Sequence, residues 1–235
     1  PGDIKPLTVG QLLQGFAPIR VAWRRLAAPA AVTEALPDAI GARPLWLAAS
    51  THPADEGAVL AAHSQVMNAF PKALLIIAPR HPYRGEPLQQ LADGQGFDVA
   101  RRSLGDDVSA GTQVYIADTL GEIGAFFALS PITFLGGSFG EEGGHNPYEP
   151  ASFGSAILYG PRVKNFSDAY AALSDTRAAN MVGEPEQLGA KVVEVLKSGQ
   201  ADVMGRAGAE FMEQTGGCLP MYSDLVQDVL AKKHP

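Results

Sequence analysis

The chain has 235 residues, 46% of them hydrophobic, with a formal net charge of −7 and one cysteine, Cys218. That length suits one sizeable α/β domain, or one domain with an appendage. The acidic balance argues against a general nucleic-acid-binding surface, and a lone cysteine excludes an internal disulfide framework and suits a reducing compartment. No apolar run approaches the roughly 18–20 residues of a membrane span. Nothing at the N-terminus has the shape of a secretory leader, and a start at Pro1-Gly2-Asp3-Ile4-Lys5 is expected of a piece cut from something longer.

Residues 1–43 read as a linker and an N-terminal helical segment. Leu12, Leu13, Phe16, Ile19, Trp23 and Leu26 recur at roughly helical spacing, but Pro18 and Pro29 interrupt the run, so short broken helices are expected. Arg20, Arg24 and Arg25 lie between them, a cluster open to packing against a preceding domain or to an anionic surface.

Residues 44–235 read as one domain with C-terminal helices. Strands are expected at 45–50, 73–79, 97–103, 113–118, 132–135, 156–160 and 178–182. Helices are expected at 55–70, 87–91, 120–129, from Pro147, and over 166–173, 184–197, 201–213 and 222–232. Strands alternating with helices predict a Rossmann-like parallel sheet with helices on both faces. Ligands of such sheets sit outside the carboxyl ends of the strands, where the strand order reverses. The residues just after each strand therefore carry the functional information.

Those residues are polar or glycine. The run 132–150, ITFLGGSFGEEGGHNPYEP, reads as strand, glycine loop and helix start, with Asn146 as the cap and Pro147 at the first helical position. Gly136 and Gly137 let backbone approach a ligand, Ser138 follows them, and a helix N-terminus presents amides to an anion. Glu149 is suited to accept hydrogen bonds from a ribose diol. The structural alternative is an ordinary glycine-rich crossover. Arg80-His81, stiffened by Pro79 and Pro82, offers a planar cationic fork and a single donor.

Thr119-Leu120-Gly121-Glu122 fits a capping box, which would occupy Glu122 with helix-end amides and leave Gly121 and the neighbouring backbone to line a base pocket. Ser50 and Thr51 are candidates to cap the following helix, while His52 would project toward the cleft. His52, His63, His81 and His145 lack the spacing on one element that marks a metal site. Neither a G-x-G-x-x-G nor a P-loop is present.

Together ASTH (49–52), PRHP (79–82), DTLGEIG (118–124), FLGGS (134–138), GGHNPYEPASFG (143–154) and GPRVKNF (160–166) resemble the C-terminal domain of the 3-deoxy-D-manno-octulosonic acid (Kdo) transferases. The resemblance covers most of residues 44–175, and GDIK (2–5) is similar to the family's interdomain linker. It implies the C-terminal half of a GT-B glycosyltransferase, with Arg80, Leu120, Gly121 and Glu149 on the CMP moiety of CMP-Kdo. Gly136, Gly137, Ser138 and Asn146 are then expected at the phosphate or sugar carboxylate, with His52 and His81 beside them. Many relatives carry methionine where Leu120 stands.

The resemblance places the general base and the lipid A precursor site in an N-terminal domain, so no catalytic residue is expected in this chain, and no metal or cofactor. The full protein is expected at the cytoplasmic face of the bacterial inner membrane; this chain alone is expected to be soluble, to bind nucleotide and not to transfer Kdo. The alternatives are a UDP-sugar-dependent GT-B transferase or epimerase domain, a non-catalytic nucleotide-binding domain, and a metal hydrolase using the histidines.

Overall fold

The computed structural model of the chain describes residues 36–216. The broken helices and arginine cluster expected before residue 36, the helix expected over 222–232 and Cys218 lie outside them. The described chain runs β1 (Leu45–Thr51), α1 (Pro53–Ala69), β2 (Leu74–Pro79), α2 (Gly85–Gly94), β3 (Val99–Arg101), β4 (Val114–Ile116), α3 (Ile123–Leu129), β5 (Ile132–Leu135), α4 (Tyr148–Ser152), β6 (Ala156–Tyr159), α5 (Ser167–Asp175), β7 (Ala179–Met181), α6 (Leu188–Ser198) and α7 (Gln200–Gly216). Every strand pairing is parallel, in the order β3-β4-β2-β1-β5-β6-β7.

Period-two alternation sorts each strand's side chains onto two buried faces. Leu45, Leu47 and Ala49 of β1 join Leu74, Ile76 and Ala78 of β2 beneath Phe126 and Phe127 of α3 and Tyr170 and Leu173 of α5. Trp46 and Ala48, with Leu75 and Ile77, face the other way, under Val59 and Val66 of α1, Leu88 of α2 and Val192 of α6. Leu36 and Ile40, in a short helical stretch at 36–40, belong to the first of these layers. The core thus begins before the boundary expected at residue 44.

Several boundaries depart from expectation for local reasons. The strand expected over 97–103 is only Val99–Arg101, because Arg102–Leu104 tightens into a 3-10 turn ending at Gly105 with φ +77°. The buried helix expected from residue 120 starts at Ile123. Leu120 is 77% exposed, and Gly121 breaks the approach with φ +82°.

His63 of α1 is fully buried against Phe97, and its two ring nitrogens meet different partners. Trp46 Nε1–H donates to Nδ1 at 3.1 Å, which assigns the remaining proton to Nε2, 2.9 Å from the Gln113 carbonyl. Burial, with a smaller contribution from Arg43, lowers its pKa from 6.5 to about 4. The unfolded chain therefore binds the extra proton first. Stability from this group is complete above pH 6.5 and falls as pH drops toward 4, by up to about 3 kcal/mol. Urea unfolding between pH 7 and 4 is expected to show a steeper loss for the wild type than for His63→Gln, whose side chain does not titrate.

Candidate functional site

The strand order reverses between β1 and β5, which opens a crevice at their carboxyl ends. The backbone is unusual on both sides of it. Ser50 adopts φ +54°, uncommon outside glycine, and the β1–β2 register slips between Ala49 and Thr51. Gly136 packs directly against this bulge: a Cβ there would lie 2.7 Å from both Ser50 O and Thr51 Cα. Only glycine fits.

Asp55 ties the two sides together. Its fully buried carboxylate accepts hydrogen bonds from the amides of His52 (2.9 Å), Gly137 (2.7 Å) and Phe139 (3.2 Å). Burial lifts its pKa, and the three amides oppose that rise. One side chain near the start of α1 thus fixes both the β1–α1 junction and the glycine loop after β5.

Beside this junction lies a cavity of about 300 Å³, lined among others by Arg80, Leu120, Gly121, His145, Asn146 and Glu149. Phe126 and Phe166 form part of its apolar wall. The other arginines at or just after the ends of β2 and β3 are committed to carboxylates. Arg84 grips the buried Glu56 at 2.5 and 3.2 Å, Arg101 meets Asp118 at 2.5 Å and Arg102 meets Glu122 at 2.8 Å. Arg80 differs: its backbone N–H donates to Thr51 O at 3.0 Å, while its exposed guanidinium pairs with no described residue.

Glu149 is half-buried; burial raises its pKa, and the bond from Asn146 and the charge of Arg80 counter that rise. Asn146 Nδ2 holds Glu149 Oε1 at 3.1 Å, and among the described residues Oε2 has no partner. The site can therefore present an uncommitted cation and an uncommitted carboxylate oxygen to one ligand.

The structure brings together most of the residues singled out in the sequence. Arg80, Leu120, Gly121, Asn146 and Glu149 share the cavity wall. His52 lies behind His145, their Nε2 atoms 3.0 Å apart, and His81 stands edge-on to His52 with ring centroids 5.9 Å apart.

Three expectations need correction. The amides of Gly136 and Gly137 do not await a phosphate: they donate to Ala49 O and to Asp55. The Ser138 hydroxyl is fully buried, donating to Leu135 O at 2.6 Å and accepting from Gly160 N–H at 2.8 Å. These residues shape the floor of the crevice through close packing. The helix after Asn146 is also a weak anion site, since α4 has five residues and the Tyr148 N–H is taken by Asn146 Oδ1. Finally, Glu122 does not close the expected capping box on backbone. Arg102 and the Thr119 hydroxyl hold its carboxylate, and Arg102 keeps its pKa below the ordinary value.

Asp55, Ser50 and the His145 imidazole are the positions that motif reading did not place in the site. The H-x-x-D spacing from His52 to Asp55, which resembles a capping box, is the trace that sequence offered for the first of them. Among the described residues no group of three or more His, Cys, Asp or Glu is arranged to hold a metal ion. No described helix is long and apolar enough to cross a membrane.

No family model matches the chain. It is 31% identical over 192 residues to the 3-deoxy-D-manno-octulosonic acid transferase of Haemophilus influenzae, an overlap of 81% of this chain and 45% of that protein. The C-terminal CMP-Kdo binding domain of WaaA from Acinetobacter baumannii matches with a TM-score of 0.73 at 30% identity, covering 78% of this chain and 96% of that domain. The chain belongs to the Kdo transferase family. As a Kdo transferase chain it spans under half the length of the curated Haemophilus relative, and its sheet is that of a GT-B C-terminal domain. The C-terminal domain of the glycosyl transferase group 1 protein LpcC from Francisella tularensis shares the fold, with a TM-score of 0.53 at 11% identity over 81% of this chain and 95% of that one.

Proposed function

We propose that this chain is the donor-binding half of a Kdo transferase, holding CMP-Kdo at the crevice between β1 and β5. The observation that supports the reading is that the unpaired Arg80 guanidinium and the open Oε2 of Glu149 belong to residues lining the same cavity. Arg80 receives the phosphate, and its charge stabilises the CMP that departs as Kdo is transferred. Glu149 accepts the ribose hydroxyls, and the base lies against Leu120 and the Gly121 backbone at the mouth. The general base and the lipid A precursor site belong to the remainder of a longer protein working at the cytoplasmic face of the inner membrane. This chain alone binds nucleotide without transferring Kdo. Combining it with a separately made N-terminal half is expected to restore transfer; a folded pair without activity would favour a non-catalytic binding domain.

The diol assignment has its own test. Wild-type chain is expected to bind CMP at least about tenfold more tightly than 2′-deoxycytidylate, because losing one charge-assisted hydrogen bond is worth about 1.5–3 kcal/mol. Glu149→Ala should abolish that preference. A preference that survives the substitution would place the ribose elsewhere.

A further inference from the structure

Three histidines from three different loops converge at the crevice, and two of them share a proton position. The His52 and His145 rings lie within 6° of parallel, with centroids 5.2 Å apart and Nε2 atoms 3.0 Å apart. A hydrogen bond between two Nε2 atoms requires one ring to donate and the other to accept, so the rings must adopt different tautomers when both are neutral. At the other ring nitrogen of His52, Glu142 Oε1 lies 3.8 Å from Nδ1. The sequence carboxylate–imidazole–imidazole therefore runs from the glycine loop to the cavity wall. Gly137 permits the approach: a Cβ there, at φ +64°, would sit 3.1 Å from two atoms of the His145 ring.

We propose that Glu142, His52 and His145 form a proton-accepting relay that takes up one proton from solvent when the nucleotide phosphate enters beside Arg80. This rests on the nucleotide reading above and deepens it. The added proton completes both ring edges of His52: Nδ1–H then faces Glu142 and Nε2–H donates to His145. The pair becomes a cation that balances the incoming anion. In the empty site the opposite holds. Burial, then His52 and Arg80, lower the His145 pKa to about 4, while Glu142 opposes the shift. His81, edge-on to His52 and stacked on Tyr83 at 5.3 Å, adds repulsion to any charge on the pair. Glu149, lining the same cavity, lies within electrostatic reach of Arg80. A phosphate dianion at Arg80 would offset the repulsion from Arg80 and His81, which shifts the balance toward protonation against the burial that still opposes it. A relay of this kind makes nucleotide affinity fall as pH rises, through a group on the protein.

Calorimetry of CMP binding at pH 7 in buffers of differing ionisation enthalpy tests this on the chain as it stands. A phosphate monoester, with its second pKa near ~6, carries only about a tenth of a proton at that pH. The slope of observed heat against buffer ionisation enthalpy is expected to give net uptake of a fraction of a proton per CMP, growing as the pH is lowered toward 6. Cytidine, which lacks the phosphate, should give none if it binds. His52→Gln and Glu142→Gln should each bring the CMP value close to zero. CMP binding with zero uptake in the wild type would overturn the relay and leave the nucleotide site intact. Failure of CMP to bind at all would overturn the nucleotide reading, and this inference with it.

Discussion

Arg80→Ala is expected to weaken CMP binding by about 10- to 100-fold while leaving the unfolding free energy within about 0.5 kcal/mol of wild type. The two halves of that prediction follow from one fact. The Arg80 guanidinium is exposed and touches no described carboxylate, so the fold loses nothing when it goes. A charge-assisted bond to phosphate is worth about 1.5–3 kcal/mol, and that is the whole loss. Arg80→Lys should recover only part of the affinity, since an ammonium cannot make the two parallel bonds of a guanidinium fork.

Arg84, four residues on, supplies the contrast. It grips Glu56, which is 1% exposed, through two hydrogen bonds. Arg84→Ala strands that buried carboxylate and should cost about 3–5 kcal/mol of stability. Isothermal titration and urea unfolding on the two variants separate a ligand-binding arginine from a structural one. Equal stability losses in both would contradict the assignment.

Asp55→Ala is expected to be among the most damaging single changes to the site. It leaves three amides, those of His52, Gly137 and Phe139, without the acceptor that a fully buried carboxylate supplies. Each buried unsatisfied N–H costs about 1–3 kcal/mol, so a total loss above about 3 kcal/mol is expected. Asp55→Asn, with one acceptor oxygen, should lie between alanine and wild type. Hydrogen exchange gives the sharper readout. In Asp55→Ala the amides of Gly137 and Phe139 should lose protection well before the amides in the middle of β5. Uniform loss across the sheet would mean that Asp55 supports the whole fold and not this junction in particular.

The individual elements were legible because their determinants are local. The run ITFL is β5 as the sequence suggested, bounded by Pro131 and Gly136. The strand ends LWLAAST and LLIIAP carry their polar successors to the same edge, as the carboxyl-end rule requires. Arg80, Leu120, Gly121, Asn146 and Glu149 line one cavity, and each lies in a segment between a strand and a helix or at the start of a helix.

What sequence misread was the destination of backbone hydrogen bonds. Gly136-Gly137 looks like an anion cradle to any local inspection. Its amides are engaged because β5 lies beside β1, which brings Ala49 and Asp55 within reach across more than 80 residues of chain. The same adjacency places His145 against His52. Strand order is a property of the whole sheet, and no spacing within one motif encodes it. Leu120 failed differently. Its apolar character suggested a buried helix, but Gly121 at positive φ and the pull of Arg102 on Glu122 hold the turn open to solvent.

The account centres on a cytidylate pocket at the β1–β5 crevice, and calorimetric titration of this chain with CMP and with UDP tests it most directly. It predicts saturable heat with CMP at one site and at least tenfold weaker binding of UDP, by roughly 1.4 kcal/mol or more. UDP bound as tightly as CMP, or tighter, would contradict it and turn the site over to a uridine-nucleotide sugar.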